Sequence, residues 1–282
     1  MSRSIDLVSI RGSVVVAVEG SDHAVRALRW AAEQASLERR RLAVVSVGEG
    51  RDTLVEEAVS AARLDHHDLA VAGSRVSGDP RQVLIDASTH AHMLVVGSRG
   101  RGAVKSMLLG SVSATVSAHA ACPVIVCRPA AVADAGAGVV VGADATPESL
   151  PVIDFAYRQA SLRGLPLTVL HSFWDAAAAV AQYHRARGQQ AEWPELEELR
   201  ATLAGSVAGL AEEYPDVPVT LTLKHGFADE ALSPRHGGWD MIVVGRHPMT
   251  SLTRLLTGSI ATSVIERAHA TVAVVPELPR SA

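Results

Sequence analysis

The sequence has few aromatic residues and no excess of positive charge. Aromatic side chains make up 4% of the 282 residues, which leaves few surfaces on which unpaired bases could stack. The 26 lysines and arginines are outnumbered by 30 aspartates and glutamates, so the formal net charge is -4. A chain without an overall positive field gains little by releasing the counterions of a polyanion. We therefore do not expect nucleic acid to be a main partner.

The sequence also lacks a long apolar segment. Its longest stretch without a formal charge runs from Ser106 to Cys127, but serines, a histidine and a proline interrupt it. A membrane-spanning helix needs about 20 predominantly apolar residues. The first residues include Asp6 and Arg11 and contain no apolar run of the length found in signal peptides. We therefore expect a cytoplasmic protein with no membrane partner.

Cysteine is scarce, and the histidines are not accompanied by further ligands. Cys122 and Cys127 flank a short apolar run, with a spacing that fits neither a redox pair nor a zinc knuckle. Free cysteine packs as a small hydrophobic residue, so we expect both thiols to be buried and reduced. Histidine pairs such as His66-His67 bring no cysteine or carboxylate at a recognised ligand spacing. No metal site is predicted.

The chain contains an internal repeat. The segments that begin at Glu19 and Asp144 align with each other, and both contain the tetrapeptide QASL. Further along the two copies, Gly97 aligns with Gly245. Each copy is long enough to form a small domain with its own core. We therefore predict two domains, residues 1–133 and residues 134–282.

Each copy contains five short apolar runs. Most are continuous and rich in β-branched residues, as in strands that are covered on both faces of a parallel sheet. The stretches between them have helical periodicity, as in residues 24–37, where Val25, Leu28 and Ala32 recur at spacings of three and four. This alternation predicts an α/β fold. The predicted strands are Val14–Val18, Leu42–Val47, Leu69–Ala72, Met93–Val96 and Val124–Cys127, then Val139–Ala143, Leu167–Leu170, Val219–Leu223, Met241–Val244 and Val272–Val275.

A glycine-rich turn follows the fourth apolar run of the first copy. Gly97 ends the run, and Gly110-Ser111 stands where the next helix is expected to begin. Glycines let main-chain N–H groups approach an anion, and a helix N-terminus adds unpaired donors. Two common phosphate motifs fail, because Ala103 replaces the Walker A lysine and Lys105 replaces the third glycine of the Rossmann fingerprint. The turn is therefore either another kind of phosphate loop or only a tight strand-to-helix connection.

The spacing of Gly97, Gly100, Gly110 and Ser111 resembles the G-2x-G-9x-G-S/T signature of the universal stress protein family. The likeness extends to VVVAVEGS and HAACPVIVCRP in the first copy and to VVVGADATPES and VGRHPMTSLTRLLTGSIATSVIERA in the second. The resemblance implies two tandem Rossmann-like domains, each a five-stranded parallel sheet of order 3-2-1-4-5 flanked by helices. It also implies a stress-response or signalling module that binds ATP, with or without Mg²⁺.

The resemblance carries the family's nucleotide contacts onto this sequence. In members that bind ATP, an acid after strand 1 and a main-chain group at the end of strand 2 contact the nucleoside. The glycine loop and the hydroxyls that follow it hold the phosphates. The implied nucleotide-binding residues are Glu19, Val47, Gly97, Gly100, Gly110, Ser111, Val112 and Ser113 in the first domain and Asp144, Ser172, Gly245, Gly258, Ser259 and Ile260 in the second.

The sequence departs from the family pattern in both domains. Glu19 stands where the family usually has aspartate, and it is either a nucleoside contact or an acid in a solvated turn. In the second domain, Pro248 replaces the second signature glycine and Ala261 replaces the hydroxyl found at Ser113. Proline has no N–H to donate. We therefore expect the first domain to bind nucleotide more tightly than the second.

Three classes of function remain open at this stage. The leading hypothesis is a nucleotide-binding module, and the alternatives are a slow ATPase or phosphotransferase and an interaction scaffold without a ligand. The sequence shows no separate constellation of base and metal ligands, so no catalytic residue is assigned. Loop cations such as Arg99, Arg101 and Lys105 either complement phosphate charge or form a solvated surface. The last strands of the two copies are predicted to pair in an internal pseudo-dimer, and a homodimer and a protein partner are left open.

Overall fold

The computed structural model describes residues 10–48, 53–100, 109–129, 136–173, 194–234, 238–246 and 260–278. The chain divides into two units. Unit 1 comprises Met1–Ala130 together with Ile265–Pro276, and unit 2 comprises Ala131–Val264 together with Glu277–Ala282. The last strand of the chain therefore belongs to the unit that holds the first repeat. The predicted boundary between residues 133 and 134 lies outside the described residues and stays a prediction.

Unit 1 alternates strands and helices along the first repeat. Its parallel strands have the order β3-β2-β1-β4-β5, and β10 lies antiparallel beside β5. The α/β class and the strand order 3-2-1-4-5 are thus confirmed in this unit. The elements are β1 (Val14–Ala17), α1 (Asp22–Leu37), β2 (Leu42–Val47), α2 (Leu54–Asp65), β3 (Val71–Val76), α3 (Pro80–Ser88), β4 (Met93–Gly97), α4 (Ser111–His119), β5 (Val124–Cys127) and β10 (Thr271–Pro276).

Unit 2 repeats this pattern. Its strands are parallel in the order β9-β6-β7-β8, which matches β4-β1-β2-β3 of unit 1. In the part of the chain that the structure describes, no helix has the length and apolar character needed to cross a membrane. The elements are β6 (Val139–Gly142), a 3₁₀ turn (Pro147–Ser149), α5 (Leu150–Arg163), β7 (Leu167–Phe173), α6 (Pro194–Glu213), β8 (Val219–His225), α7 (Ala228–Leu232), β9 (Met241–Arg246) and α8 (Ile260–Arg267), whose last residues belong to unit 1.

Helix α1 packs on the sheet through small side chains. Its N-terminus is capped by Ser21, whose hydroxyl oxygen accepts a hydrogen bond from the N–H of Ala24 at 3.2 Å. The buried stripe consists largely of alanines, including Ala27 and Ala31. Val25 is predicted on this stripe, but 45% of its surface is exposed. The preceding residue, Ala24, takes the buried position instead. Alanines on the buried face let α1 approach the strands closely.

Strand β3 differs from its prediction. The apolar run predicts Leu69–Ala72, whereas the strand spans Val71–Val76 and pairs with the whole of β2. At the edge of the sheet a strand can carry polar residues on its solvated face, so the run of apolar residues understates its length. Gly73 lies beneath α2, where a Cβ would come within 2.9 Å of the Val59 side chain. The glycine inside this strand therefore makes room for a helix.

Both cysteines are buried, as predicted. Burial raises the pKa of the Cys127 thiol to about 12. Because the thiolate is the nucleophile, only about one thiol in ten thousand is reactive at pH 8. We expect iodoacetamide at pH 8 to leave Cys127 unmodified in the native protein and to alkylate both cysteines after unfolding in guanidinium, as read by mass spectrometry. Equal alkylation rates in the two states would contradict the buried position of β5.

Candidate functional site

A cleft opens in unit 1 at the carboxyl ends of β1, β2 and β4. The strand order reverses between β1 and β4, and ligands of open parallel sheets bind at such a point. The cleft has a volume of about 380 Å³, within the range of small-molecule sites. All eight residues predicted for the first domain line it, namely Glu19, Val47, Gly97, Gly100, Gly110, Ser111, Val112 and Ser113. The structure thus brings together residues from four separate segments of the repeat.

The sequence prediction missed most of the apolar lining. Val45 lies two residues before Val47, so both side chains point to the same face of β2. Leu84 of α3 also lines the cleft and is almost fully buried. The period of two along β2 was a usable signal for Val45. No local pattern predicts that Leu84 lines the cleft, because its position depends on how α3 packs over the sheet.

Gly97 lies where α1 crosses the end of β4. A Cβ at this position would be 2.8 Å from both the carbonyl carbon and the Cβ of His23. Real Cβ atoms do not come so close to a backbone, so the approach of α1 depends on this glycine. At Gly100, in contrast, a Cβ would lie 3.6 Å from Glu19 Oε1, an ordinary contact. The first signature glycine therefore serves helix packing, whereas the second is not required by packing.

Hydrogen bonds join the two ends of the glycine loop. The carbonyl oxygen of Ser98 accepts from the N–H of Gly110 at 2.8 Å. The hydroxyl of Ser113 donates to the carbonyl oxygen of Gly97 at 2.6 Å. The loop therefore leaves β4 and enters α4 at nearly the same point, although residues 101–108 lie outside the described ranges. The Ser113 hydroxyl, predicted as a phosphate donor, already donates its proton within the protein.

Helix α4 begins at the cleft without a side-chain cap. Its N-cap is Gly110, in an extended conformation and with no side chain to cap the helix, and among the described residues no side chain accepts a hydrogen bond from the first turn. The first N–H groups of a helix have no partner within it and carry the positive end of the helix dipole. The main chain of Ser111, Val112 and Ser113 therefore presents donors at the cleft. An anion is the natural ligand for such a position.

Glu19 lies at the mouth of the cleft, directly after β1. Its carboxylate accepts a hydrogen bond from the hydroxyl of Ser21 and lies beside Gly100. Gly20, between Glu19 and Ser21, has a φ of 84°, a left-handed conformation that glycine adopts readily. This turn places the acid against the glycine loop, half-buried in the cleft lining. Of the two interpretations given above, a contact to a ligand agrees better with this position than a fully solvated acid does.

Basic side chains surround His23 behind the loop. Its Nδ1 lies 3.1 Å from Arg26 Nη2 and 3.1 Å from Ser98 Oγ. Because a guanidinium group can only donate, Nδ1 is the acceptor and the imidazole is neutral. Burial, followed by the charges of Arg26, Arg99 and Arg128, holds the pKa of His23 below its usual value. Burial and Arg99 also lower the pKa of Arg128, against the effect of Glu266.

In unit 2, the predicted residues that are described lie at the matching strand ends. The Asp144 carboxylate accepts from the N–H of Thr146 at 3.0 Å and from its hydroxyl at 2.7 Å. Ser172 lies near the end of β7, and Ile260 begins α8 with 48% of its surface exposed. Gly258 and Ser259 lie outside the described residues, as does Pro248.

The end of β9 in unit 2 lies beside a carboxylate. The Glu277 side chain occupies the space next to Gly245, with its Cδ 2.9 Å from the position that a Cβ would take. The N–H of Glu277 donates to the carbonyl oxygen of Arg246 at 3.2 Å. The matching glycine of unit 1, Gly97, faces His23 instead. The glycine that ends β9 therefore faces a carboxylate, whereas the glycine that ends β4 faces the backbone and side chain of His23.

His92, near the opposite ends of the strands, contacts a carboxylate of the protein. His92 Nε2 lies 2.8 Å from the carboxylate of Glu38, at the C-terminus of α1. Within the described ranges, no group of three or more histidine, cysteine, aspartate or glutamate side chains is arranged to hold a metal ion. His92 therefore joins α1 to the segment before β4.

Comparisons with known proteins agree with this architecture. The model of the universal stress protein family matches residues 49–128 and 138–276. Universal stress protein Rv2005c of Mycobacterium tuberculosis strain H37Rv is 32% identical, over 93% of this chain and 96% of its own. The crystal structure of a putative universal stress protein from Pseudomonas aeruginosa covers 96% of this chain and 95% of its own, with a TM-score of 0.66 and 17% identity. The universal stress protein from Archaeoglobus fulgidus in complex with dAMP covers 42% of this chain and 98% of its own, with a TM-score of 0.34 and 28% identity.

Proposed function

The chain belongs to the universal stress protein family, and we propose that the cleft of unit 1 binds an adenine nucleotide such as ATP. The observation that carries this proposal is the uncapped N-terminus of α4 in a cleft whose lining also includes apolar side chains such as Val45, Val47 and Leu84. A ligand that satisfies both parts needs a flat apolar group joined to an anion. A nucleotide has this form, and its binding would serve as the signal of a stress-response module.

The base would lie on the apolar surface of Val45, Val47 and Leu84. Flat aromatic ligands gain affinity mainly by burying such surface, while a few polar groups orient them. Glu19 is placed to accept hydrogen bonds from a ribose hydroxyl or an amino group, because an ionised carboxylate is an acceptor only. Its extra methylene relative to aspartate fits the observed position of its carboxylate beside Gly100.

The phosphates would lie at the start of α4. The main-chain N–H groups of Ser111, Val112 and Ser113 would donate to phosphate oxygens, and Arg99 lines the same end of the cleft. Mg²⁺ in nucleotide sites usually keeps several waters and binds through one or two carboxylates together with phosphates. Glu19 is the one carboxylate among the described residues that line the cleft, so it would be the residue to hold Mg²⁺, in place of its contact to the nucleoside, if the nucleotide binds with the metal ion.

A binding module is favoured over an efficient enzyme. Among the described residues that line the cleft, Glu19 is the sole carboxylate, and it already accepts a hydrogen bond from Ser21. Phosphoryl transfer requires a positioned attacking group as well as charge neutralisation. We assign no catalytic residue, and we expect any ATP hydrolysis to be slow. An interaction scaffold without a ligand stays an alternative for unit 2, where Glu277 lies beside Gly245 of β9.

The first test is to identify small molecules that stay bound through purification. Denaturation is expected to release an adenine nucleotide that mass spectrometry identifies. After the bound nucleotide has been removed from the native protein, calorimetry is expected to detect ATP binding. Absence of binding for ATP, ADP and AMP alike would overturn the proposal. Turnover at the rate of a typical kinase would favour the enzyme alternative instead.

The two domains are expected to bind ATP unequally, with unit 1 the stronger site. Gly100→Pro imitates the second loop, and Gly258→Arg obstructs the second site. Each lost hydrogen bond to a charged phosphate is worth about 1.5 to 3 kcal/mol, or roughly tenfold or more in affinity. Calorimetry is expected to show a loss of this size in Gly100→Pro and little change in Gly258→Arg. The reverse pattern would assign the stronger site to unit 2.

A further inference from the structure

Arg99 is a cation of the cleft that the fold itself does not use. It lines the cleft, and its Cα lies 3.4 Å from the position that a Cβ would take at Gly110, the N-cap of α4. Among the residues that the structure describes, it makes no hydrogen bond and no ion pair. Its charge instead acts unfavourably on the protonated forms of its neighbours His23 and Arg128. Like charges at close range repel, so the fold keeps Arg99 at an energetic cost that a bound anion would offset.

We propose that Arg99 determines the specificity of this site for the number of charges on the ligand's phosphates. This inference rests on the proposed function, because it concerns the same cleft. A guanidinium group binds phosphate oxygens through paired N–H donors, and it stays charged at every physiological pH. The main-chain donors of α4 bind any phosphate. Arg99 adds a fixed charge that favours triphosphates and diphosphates over monophosphates, and all of these over adenosine.

The acidic groups near His23 and its neighbouring arginines have a smaller electrostatic effect than the arginines do. Asp22, on the same helix as His23, favours the protonated imidazole but is the weakest of the named influences on it. Glu266 supports the charge of Arg128. Glu19 lies at the cleft mouth and accepts from Ser21. The arginines therefore dominate at His23, where Arg26 and Arg128 reinforce the field of Arg99.

His23 gives an independent measure of whether an anion binds Arg99. In the free protein, Arg26, Arg99 and Arg128 oppose its protonation. An anion on Arg99 cancels part of that opposition, so the pKa of His23 rises towards its usual value of 6.5. The complex then holds more protons than the free protein at a pH between the two pKa values. By linkage, binding takes up a proton, and affinity increases as the pH falls through this window.

The test compares Arg99→Gln with the charge-conserving Arg99→Lys, using adenosine, AMP, ADP, ATP and tripolyphosphate as ligands. Calorimetry of the full chain is expected to show affinity rising with phosphate charge in the wild type. Arg99→Gln should lose at least about tenfold for ATP and less than about twofold for adenosine. Arg99→Lys should restore most of the loss. Equal losses for adenosine and ATP, or no loss for either, would overturn the proposal.

Proton uptake provides the second readout. Titration of ATP in buffers of different ionisation enthalpy should show uptake near pH 6 that exceeds the uptake in Arg99→Gln and in His23→Asn. His23→Asn keeps Arg99, so the titration of ATP itself is common to this variant and the wild type and cancels between them. Because Arg99 also lowers the pKa of the phosphates that it binds, Arg99→Gln is compared with the double variant Arg99→Gln/His23→Asn. Adenosine should show no excess uptake, and an excess that persists in Arg99→Gln would contradict the role of Arg99.

The two proposals fail in different ways. If tripolyphosphate binds with the expected dependence on Arg99 while no adenine ligand binds more tightly than it, the nucleotide proposal fails and the role of Arg99 stands. If ATP binds but Arg99→Gln binds every ligand as the wild type does, the nucleotide proposal stands and the role of Arg99 fails.

Discussion

Gly110→Asp is expected to remove ATP binding while leaving the fold as stable as before. The N-cap position of α4 has φ of -75° and ψ of 149°, which aspartate adopts without strain. The nearest atom to an added Cβ is the Cα of Arg99 at 3.4 Å, an ordinary contact, so a Cβ fits at this position. Aspartate is a favoured N-cap, and it differs from glycine there by only a few tenths of a kcal/mol in stability. Its carboxylate would accept hydrogen bonds from the same main-chain N–H groups that are proposed to donate to a phosphate.

The loss of binding should be large because two effects combine. The aspartate takes up main-chain donors, and its charge repels the phosphate at short range. Together these should lower ATP affinity about a hundredfold or more. Gly110→Asn is the matched control, because it caps the helix without charge and should lose markedly less. Calorimetry with ATP and thermal unfolding measure the two properties, and ATP binding by Gly110→Asp at wild-type affinity would place the anion elsewhere.

Gly97→Ala is expected to destabilise unit 1 and to impair binding together. The added methyl would meet the backbone of His23 at 2.8 Å, and a backbone in the first turn of α1 cannot move aside as the end of a flexible side chain can. Overpacking of this kind costs about 1 to 3 kcal/mol. Displacement of α1 would also shift Ser98, which contacts His23, and with Ser98 the start of α4.

Gly100→Ala is the control within the same loop. Its Cβ would make an ordinary contact of 3.6 Å with Glu19, so its free energy of unfolding should stay within about 0.5 kcal/mol of the wild type. Denaturant unfolding of both variants measures the difference. Equal stability of the two would show that α1 does not depend on the glycine at position 97.

The sequence predicts the structure well where the role of a residue depends only on its neighbours along the chain. The β-branched runs predicted the central strands, because a strand buried on both faces has no solvated side to carry polar residues. The family resemblance carried by the spacing of the glycines implied residues that line the cleft at the start of α4. Edge strand β3 was misplaced, since its polar residues are compatible with its position and leave no apolar pattern.

The missed parts of the site depend on distant segments. His23 contacts Ser98 across 75 positions of sequence, and Glu277 reaches Gly245 from the end of the chain. Both contacts join residues that are far apart in the sequence, so no periodic pattern of neighbouring residues predicts them. The Ser113 hydroxyl matched the family signature, yet its donor is directed to Gly97. A motif identifies the residue but not which of its hydrogen-bonding groups is available.

The position of β10 affects the order in which the protein can fold during synthesis. Val272 lies opposite Val126 in unit 1, and such a pairing between distant segments must wait for the later one. At roughly 5 to 20 residues per second, β5 is made on the order of ten seconds before its partner strand. During that interval the ribosome holds a sheet with an open edge of Val124–Cys127, a template for pairing with other chains. Ribosome stalling or premature termination in the second repeat would leave that edge uncovered in the released fragment.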